Sequence, residues 1–305
     1  MCSSDLHVRL NFNPQAQLGL NLILALVMFG IALDLKLADF RAVLRRPRAL
    51  AVGLVGQMLL LPALAWGVAT GLGLDPVMAV GLMVLAACPG GVSSGLLTHL
   101  ADGDVALSIA LTAVTSVAAM FTLPLLLDAS LQHFLGRGLE VQMPLGGMVR
   151  SIFLLTTLPV LLGMALRAGR PQWVARVEPL ARRVSTGLFL LIVLATFWSQ
   201  REVLQTQLAH IGPASALMNA AVLTTAWALA HGAGLQRRDR IAVATECGLQ
   251  NSALGIYVCV QLLGQPAMAV PSVVYALLMN VGAIAFVYLM RRRSASGPRA
   301  PACCP

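Results

Sequence analysis

Cys88-Pro89-Gly90-Gly91-Val92-Ser93-Ser94-Gly95 interrupts one long apolar segment of this chain, and Glu246-Cys247-Gly248-Leu249-Gln250-Asn251-Ser252 interrupts another. Proline removes a backbone donor and crowds the preceding turn, and glycine loses more freedom in a helix than any other residue. Pro89, Gly90, Gly91, Gly95 and Gly248 therefore predict two helices that stop and restart in mid-course. Both stretches also carry oxygen-bearing side chains, which a passive kink would not need. Each interruption is the middle part of a three-helix block, one over about 47–127 and one over about 211–291. Interrupted apolar segments at matching places in two halves of a chain point to the binding site of a secondary transporter.

The surrounding composition fits that reading. Of 305 residues, 58% are hydrophobic and 11% charged, whereas soluble domains carry about 25% charged residues. Mean hydropathy is +0.82. An ordinary soluble enzyme and a disordered regulator are excluded. Nine apolar segments stand out, at about 17–34, 47–71, 77–98, 104–127, 147–168, 182–200, 211–234, 238–262 and 268–290. Backbone groups in lipid must be satisfied within the segment, so these are helices. Barrel strands would alternate over about ten residues, and no such pattern is present. The expected fold is an all-α polytopic membrane protein with about nine transmembrane helices. It divides into an external segment 1–16, one transmembrane domain 17–291 and a tail 292–305.

The net charge of +9 is a topology signal. Lys36, Arg41, Arg45, Arg46 and Arg48 fill the first loop, Arg167, Arg170, Arg176, Arg182 and Arg183 surround the fifth, and Arg237, Arg238 and Arg240 the seventh. With Arg291, Arg292, Arg293 and Arg299 these make 17 of 21 basic residues. The positive-inside rule puts them in the cytoplasm, with the N-terminus outside and the C-terminus inside. Nine spans give the same answer by parity. The block at 47 then starts inside and the block at 211 starts outside, so the repeat is inverted. A pI of 10.1 is accounted for in this way, and no nucleic-acid partner is expected; the partner of the apolar surface is the lipid bilayer. Residues 1–16 lack the basic and apolar parts of a cleavable signal peptide. Six cysteines show no metal-ligand spacing. Residues 128–146 read as the longest external connection, with Leu131, Phe134, Leu135 and Leu139 on one face of a short interfacial helix.

Depth sorts the 12 acidic residues. Eleven fall in loops or at helix ends, and Glu246 alone lies well inside an apolar span. A carboxylate there costs on the order of 3 kcal/mol on insertion scales and needs a compensating partner. No basic residue lies at that depth, so a cation or a proton is the natural one. Gln57, Ser93, Ser94, Ser108, Thr112, Gln250 and Asn251 share the depth, and Ser108 and Thr112, four apart, share a helix face. Hard oxygen donors with a single formal charge suit Na+ better than zinc or copper, which favour His and Cys.

At these residues the chain resembles the bile acid:sodium symporter family. The resemblance rests on Pro89-Gly90-Gly91 through Ser93-Ser94, on Gly103-Asp104-Val105-Ala106-Leu107-Ser108 with Leu111-Thr112-Ala113, and on Glu246 through Ser252. Arg46-Pro47-Arg48-Ala49-Leu50 and Gln57 match as well, and the likeness covers about 17–291. It implies a core of two crossed, broken helices (47–127 and 211–291) beside a panel (17–34 and 147–200). It implies two Na+ sites, one using Ser94, Ser108, Thr112 and Glu246, the other Gln57, Gln250, Glu246 and the carbonyls of Cys247 and Leu249. The organic anion would lie near Val92, Ser93, Asn251, Ser252 and Asn280. With nine spans the chain is similar to members without the first helix of the ten-helix form, or has an upstream start. It departs from the family at Gly95, usually Asn, and at Val92, often Thr, each time losing an oxygen donor.

The expected function is Na+-coupled import of a small organic anion, bile-acid-like, keto acid or pantoate-like, by alternating access across a bacterial inner membrane. Two Na+ against Glu246 and a monoanion sum to zero charge. A proton-coupled or efflux carrier of the same fold is the alternative. An intramembrane enzyme using Ser93 or Ser94 as nucleophile has no mid-membrane histidine to serve it, since His99 and His231 lie near helix ends; no enzyme activity is expected.

Overall fold

The computed structural model describes residues 46–91, 93–136, 158–199 and 201–295, with single positions between 19 and 33 and between 150 and 154. Among them every regular element is a helix. Helix α1 runs Pro47–Gly71, α2 Pro76–Ala87, α3 Ser94–Leu100 and α4 Val105–Phe134. Then follow α5 Leu158–Gly169, α6 Pro171–Ser199 and α7 Arg201–Gly232. The last are α8 Arg237–Gly248, α9 Ser252–Leu262 and α10 Val270–Ala295. Side-chain caps start three of these helices: Asp75 accepts from the Val77 amide at 2.9 Å, Asp104 from the Leu107 amide at 3.1 Å and Asn251 from the Leu254 amide at 3.1 Å.

Among the described residues four helices are long and apolar enough to cross a membrane: Pro47–Gly71, Val105–Phe134, Ile211–Gly232 and Pro266–Arg292. Helix α2, with 12 residues, is only about 18 Å long at 1.5 Å per residue, short of the roughly 30 Å of a hydrocarbon core. It needs α3 behind it to complete a crossing, and α8 needs α9 in the same way. Leu125, Val281 and Ile284 stand 66%, 66% and 62% exposed on the long helices, as side chains that face lipid do. This is an all-α membrane protein.

The two breaks lie against each other. The Gly91 amide donates to the Leu249 carbonyl at 2.6 Å and the Asn251 amide to the Pro89 carbonyl at 3.0 Å, forming an antiparallel bridge centred on Gly90 and Gln250. Each unwound segment thus satisfies the other's backbone, which is what allows irregular backbone at this depth. A Cβ at Gly91 would meet the Gln250 carbonyl oxygen at 2.9 Å, so the approach requires glycine. Helix α3 packs on α8, and α2 on α9. The buried hydroxyls of Thr98 and Thr245 join the first of these pairs at 2.5 Å.

At one end of the bundle Arg46 reaches Asp104 at 3.1 Å and Asp239 at 3.7 Å, and Arg237 donates to the Met290 carbonyl at 2.7 Å. The starts of α1, α4 and α8 and the last turns of α10 therefore meet there. The outer helices of the first block begin at the end where α10 of the second finishes, which is the inverted relation expected from the charge pattern.

Several boundaries differ from those read in the sequence. Residues 128–134 continue α4 and do not open a separate interfacial helix. Leu131 is buried and Phe134 stacks on Trp66 at 5.0 Å, contacts that a helix lying in the membrane surface would not make. Leu139 lies outside the described residues, as does half of the first apolar segment. Helix α6 begins eleven residues before 182, at Pro171, so Arg176, Arg182 and Arg183 are helical. Residues 201–210 are helical too. Polar residues continue these helices past the apolar runs that mark the spans.

Candidate functional site

Glu246 sits on the last turn before the second break, with none of its surface exposed. Ser108 donates to its Oε2 at 2.8 Å and Thr112 to its Oε1 at 2.5 Å. Ser94 lies beside the same carboxylate, its Oγ 3.4 Å from the Ser108 hydroxyl. The 3.6-residue turn puts Ser108 and Thr112 one above the other on α4, and the restart of α3 delivers Ser94 between α4 and α8. No described Lys or Arg comes within 4 Å of Glu246, although such contacts occur elsewhere in the chain. A Cβ at Gly90 would overlap Glu246 Oε1. The first break therefore lays its bare backbone against the carboxylate. The carboxylate comes from the second block and the three hydroxyls around it from the first.

A second polar group lies next to it. Gln57, on the π turn Gly56–Leu60 of α1, donates through Nε2 to the Cys88 carbonyl at 3.0 Å and to Gln250 Oε1 at 2.9 Å. Gln250 donates to the Cys247 carbonyl at 2.7 Å and back to Gln57 Oε1 at 3.4 Å. The Leu249 carbonyl receives the Gly91 amide. Every oxygen of this neutral set is engaged by another group in the same cluster. Beside Gln57 a small cleft runs between α1, α2 and α4, lined by Gln57, Met58, Cys88, Pro89, Thr115 and Thr122 among others.

Toward the expected anion position the residues are less gathered. Asn251 caps α9, its Oδ1 accepting from the Leu254 amide at 3.1 Å. The Ser252 hydroxyl faces Met279 Sδ at 3.9 Å. Asn280 turns its amide back on its own helix, to the Ala276 carbonyl at 2.6 Å. Among the described residues the buried Ser93 hydroxyl has no hydrogen-bond partner. Val92 lies outside the described residues. Gly95 is on α3, where a Cβ would meet only Ile109, at 3.5 Å.

Two polar residues join the site without being marked by charge or by a break. Asn219 on α7 and Tyr275 on α10 are buried at 3% and 0% exposure. Both donate to the Gly248 carbonyl, each at 2.9 Å. The signal that could find them is weaker than that of Glu246: each is a neutral hydrogen-bonding group inside an apolar run.

Comparison with known proteins adds one decisive observation. A profile described as the sodium bile acid symporter family matches residues 21–207, more than half of the chain. The chain belongs to that family. It is 28% identical over 270 residues to the "Probable sodium/metabolite cotransporter BASS2, chloroplastic" of Oryza sativa subsp. japonica, covering 88% of this chain and 63% of that protein. It is 29% identical over 262 residues to the uncharacterized sodium-dependent transporter YocS of Bacillus subtilis, covering 86% and 79%. To the ileal sodium/bile acid cotransporter of Oryctolagus cuniculus it is 27% identical over 269 residues, covering 88% and 76%. The chain thus spans less than two thirds of the rice relative. These relatives are named as transporters, and the family membership confirms the resemblance carried by the two breaks.

Proposed function

We propose that this chain is a Na+-coupled symporter that imports a small organic anion by alternating access. The observation that carries the reading is Glu246: a fully buried carboxylate among three hydroxyls, with no cationic side chain at hand among the described residues. A hydroxyl that donates to the carboxylate can rotate and offer its oxygen to a cation instead, so Ser108 and Thr112, with Ser94 beside them, serve both conditions. One Na+ there neutralises Glu246. Gln57, Gln250 and the Cys247 and Leu249 carbonyls form the second, neutral site, whose cation would part the contacts these groups make with one another. The second Na+ leaves a net positive charge that a monoanion balances. The anion sits at the N-terminus of α9, where the helix dipole is positive, near Ser93, Asn251 and Ser252, with Val92 and Asn280 at its margin. The core is α1–α4 with α7–α10, and the panel is residues 17–34 with α5 and α6. The orientation follows the arginines, with the Arg46–Asp104–Asp239 end in the cytoplasm of a bacterial cell.

Uptake into proteoliposomes tests this reading, with labelled taurocholate, pantoate and pyruvate as candidate anions and imposed Na+ or pH gradients. The expected result is accumulation of at least one anion driven by inward Na+ alone. Accumulation driven by pH and indifferent to Na+ would replace it with the proton-coupled reading, in which the same hydroxyls hold a protonated Glu246. Outward movement only would make the protein an efflux carrier.

A further inference from the structure

We propose that Asn219 and Tyr275 are positioning residues of the second Na+ site: by holding the Gly248 carbonyl toward α7 and α10, they fix the aim of the carbonyls on either side of it. The proposal rests on the Na+-coupled reading above and deepens it.

Gly248 ends α8, and the amide four residues on, Ser252, is turned to Gln250 instead, at 2.9 Å. The Gly248 carbonyl is therefore a helix-terminal acceptor with no partner on its own helix. Asn219 Nδ2 donates to it at 2.9 Å and the Tyr275 hydroxyl at 2.9 Å, and Asn219 Nδ2 also meets the Tyr275 oxygen at 3.1 Å. The triangle is closed. Gly282 makes room for it, since a Cβ there would overlap Asn219 Oδ1.

The next residue, Leu249, is extended (φ −113°, ψ 108°). Successive carbonyls in extended backbone point to opposite sides. Pinning the Gly248 carbonyl toward α7 and α10 thus turns the Leu249 carbonyl toward the first break, where it meets Gly91. On the other flank, the Cys247 carbonyl is left to Gln250. If the Gly248 peptide plane were free to rotate, both flanking carbonyls would lose their aim.

The repeat supplies an independent argument. In the first block Gln57 donates to the Cys88 carbonyl across 31 residues of sequence, and in the second Asn219 donates to the Gly248 carbonyl across 29. Both amides stand on the first helix of their block and hold the carbonyl that ends the first half-helix of the same block. Asn219 is thus the counterpart of Gln57, and its two partners both lie in its own block.

The test is 22Na+ binding to the purified, full-length protein in detergent without any organic anion, alongside thermal midpoints measured in Na+-free buffer. Tyr275→Phe keeps the ring and removes only the hydroxyl; Asn219→Ala removes the amide. Losing one such contact should raise the half-saturating Na+ concentration about three- to ten-fold, with the Na+-free midpoint of Tyr275→Phe close to that of the wild type. Thr224→Val, on the exposed side of α7, should leave binding unchanged. If Asn219→Ala does not fold, Tyr275→Phe decides alone. Wild-type half-saturation in Tyr275→Phe, or a lowered midpoint with no change in Na+ binding, overturns the proposal and leaves the coupled reading standing. Absence of 22Na+ binding by the wild type overturns both.

Discussion

The two blocks share a scaffold and differ in how they hold their breaks. In the first, Gln57 holds the Cys88 carbonyl, and Thr115, 27 residues after Cys88, lines a small cleft beside it. In the second, Asn219 holds the Gly248 carbonyl, and Tyr275, also 27 residues on, closes the corresponding place with its phenol. The carboxylate is equally one-sided. Glu246 lies two residues before Gly248, and the position two before Cys88 is Ala86. One block contributes charge and rigidity, and the other contributes hydroxyls and space. A site at the contact of two inverted blocks needs both, and a symmetric pair would supply either two repelling carboxylates or none.

The largest break in this comparison is Glu246→Gln, which keeps the shape and removes the only charge. Na+-driven uptake should fall to background while the protein still folds, as judged by size-exclusion elution and thermal midpoint. Retained wild-type Na+ dependence would sink the shared-carboxylate reading.

Glycines sharpen the asymmetry next. A Cβ at Gly90 would overlap Glu246 Oε1, while a Cβ at Gly248 would lie 2.5 Å from Leu223 Cδ2. The first obstacle is a carboxylate set among three hydroxyls; the second is the end of a flexible side chain. Gly90→Ala should therefore abolish uptake, and Gly248→Ala should cost about 1–3 kcal/mol of stability, the usual range for overpacking, with uptake retained. Equal losses in the two variants would mean that the breaks are alike.

Much of this arrangement is legible in the residues themselves. Proline and glycine in an apolar run mark a break because of what they do to a helix, and a lone carboxylate in such a run marks a site because of what it costs. Ser108 and Thr112 meet Glu246 as their spacing and depth require. The pairing of the breaks is not legible, because the Gly91–Leu249 and Asn251–Pro89 bonds are between backbone groups and leave no side-chain signature. Gly90 reads as a helix breaker, but its contact with Glu246 depends on tertiary approach. Arg46, Asp104 and Asp239 read as separate loop charges, since nothing local joins residues 58 apart, the separation of the first two. The extra turns of α4 are hidden because His133 and Asp128 resemble loop residues until Phe134 is seen against Trp66.

A third test concerns Gln57, the amide that reaches across the blocks. Gln57→Leu keeps the volume near that of the native side chain and removes the contacts to Cys88 and Gln250. Two lost contacts of about 1 kcal/mol each correspond to a roughly 10- to 30-fold rise in half-saturating Na+. Titration of uptake with Na+ at fixed anion would measure it. A change in anion affinity with an unaltered Na+ curve would move Gln57 out of the cation site.

The smallest expected effect is at Gly95, where this chain lacks the asparagine its resemblance to the family would supply. The surroundings are permissive: a Cβ there meets only Ile109, at 3.5 Å, an ordinary contact. Asparagine is also a better helix residue than glycine, by roughly a few tenths of a kcal/mol, so Gly95→Asn should fold. Ser94 next to it already lies beside Glu246, and an amide oxygen one residue on adds a donor to a set of one carboxylate and three hydroxyls. The gain is limited, because the added side chain must give up its own hydration and rotamer freedom to coordinate. A decrease of about two- to five-fold in half-saturating Na+ is expected, equivalent to roughly 0.4–1 kcal/mol, with a steeper uptake curve as the first site fills together with the second. Ser94→Ala in the same background should reverse the gain, because the new oxygen acts on the cation that Ser94 helps to hold. An unchanged curve in a well-folded Gly95→Asn protein would mean that the amide turns along Ile109 instead of toward Glu246. The first site would then be complete with its three hydroxyls and one carboxylate.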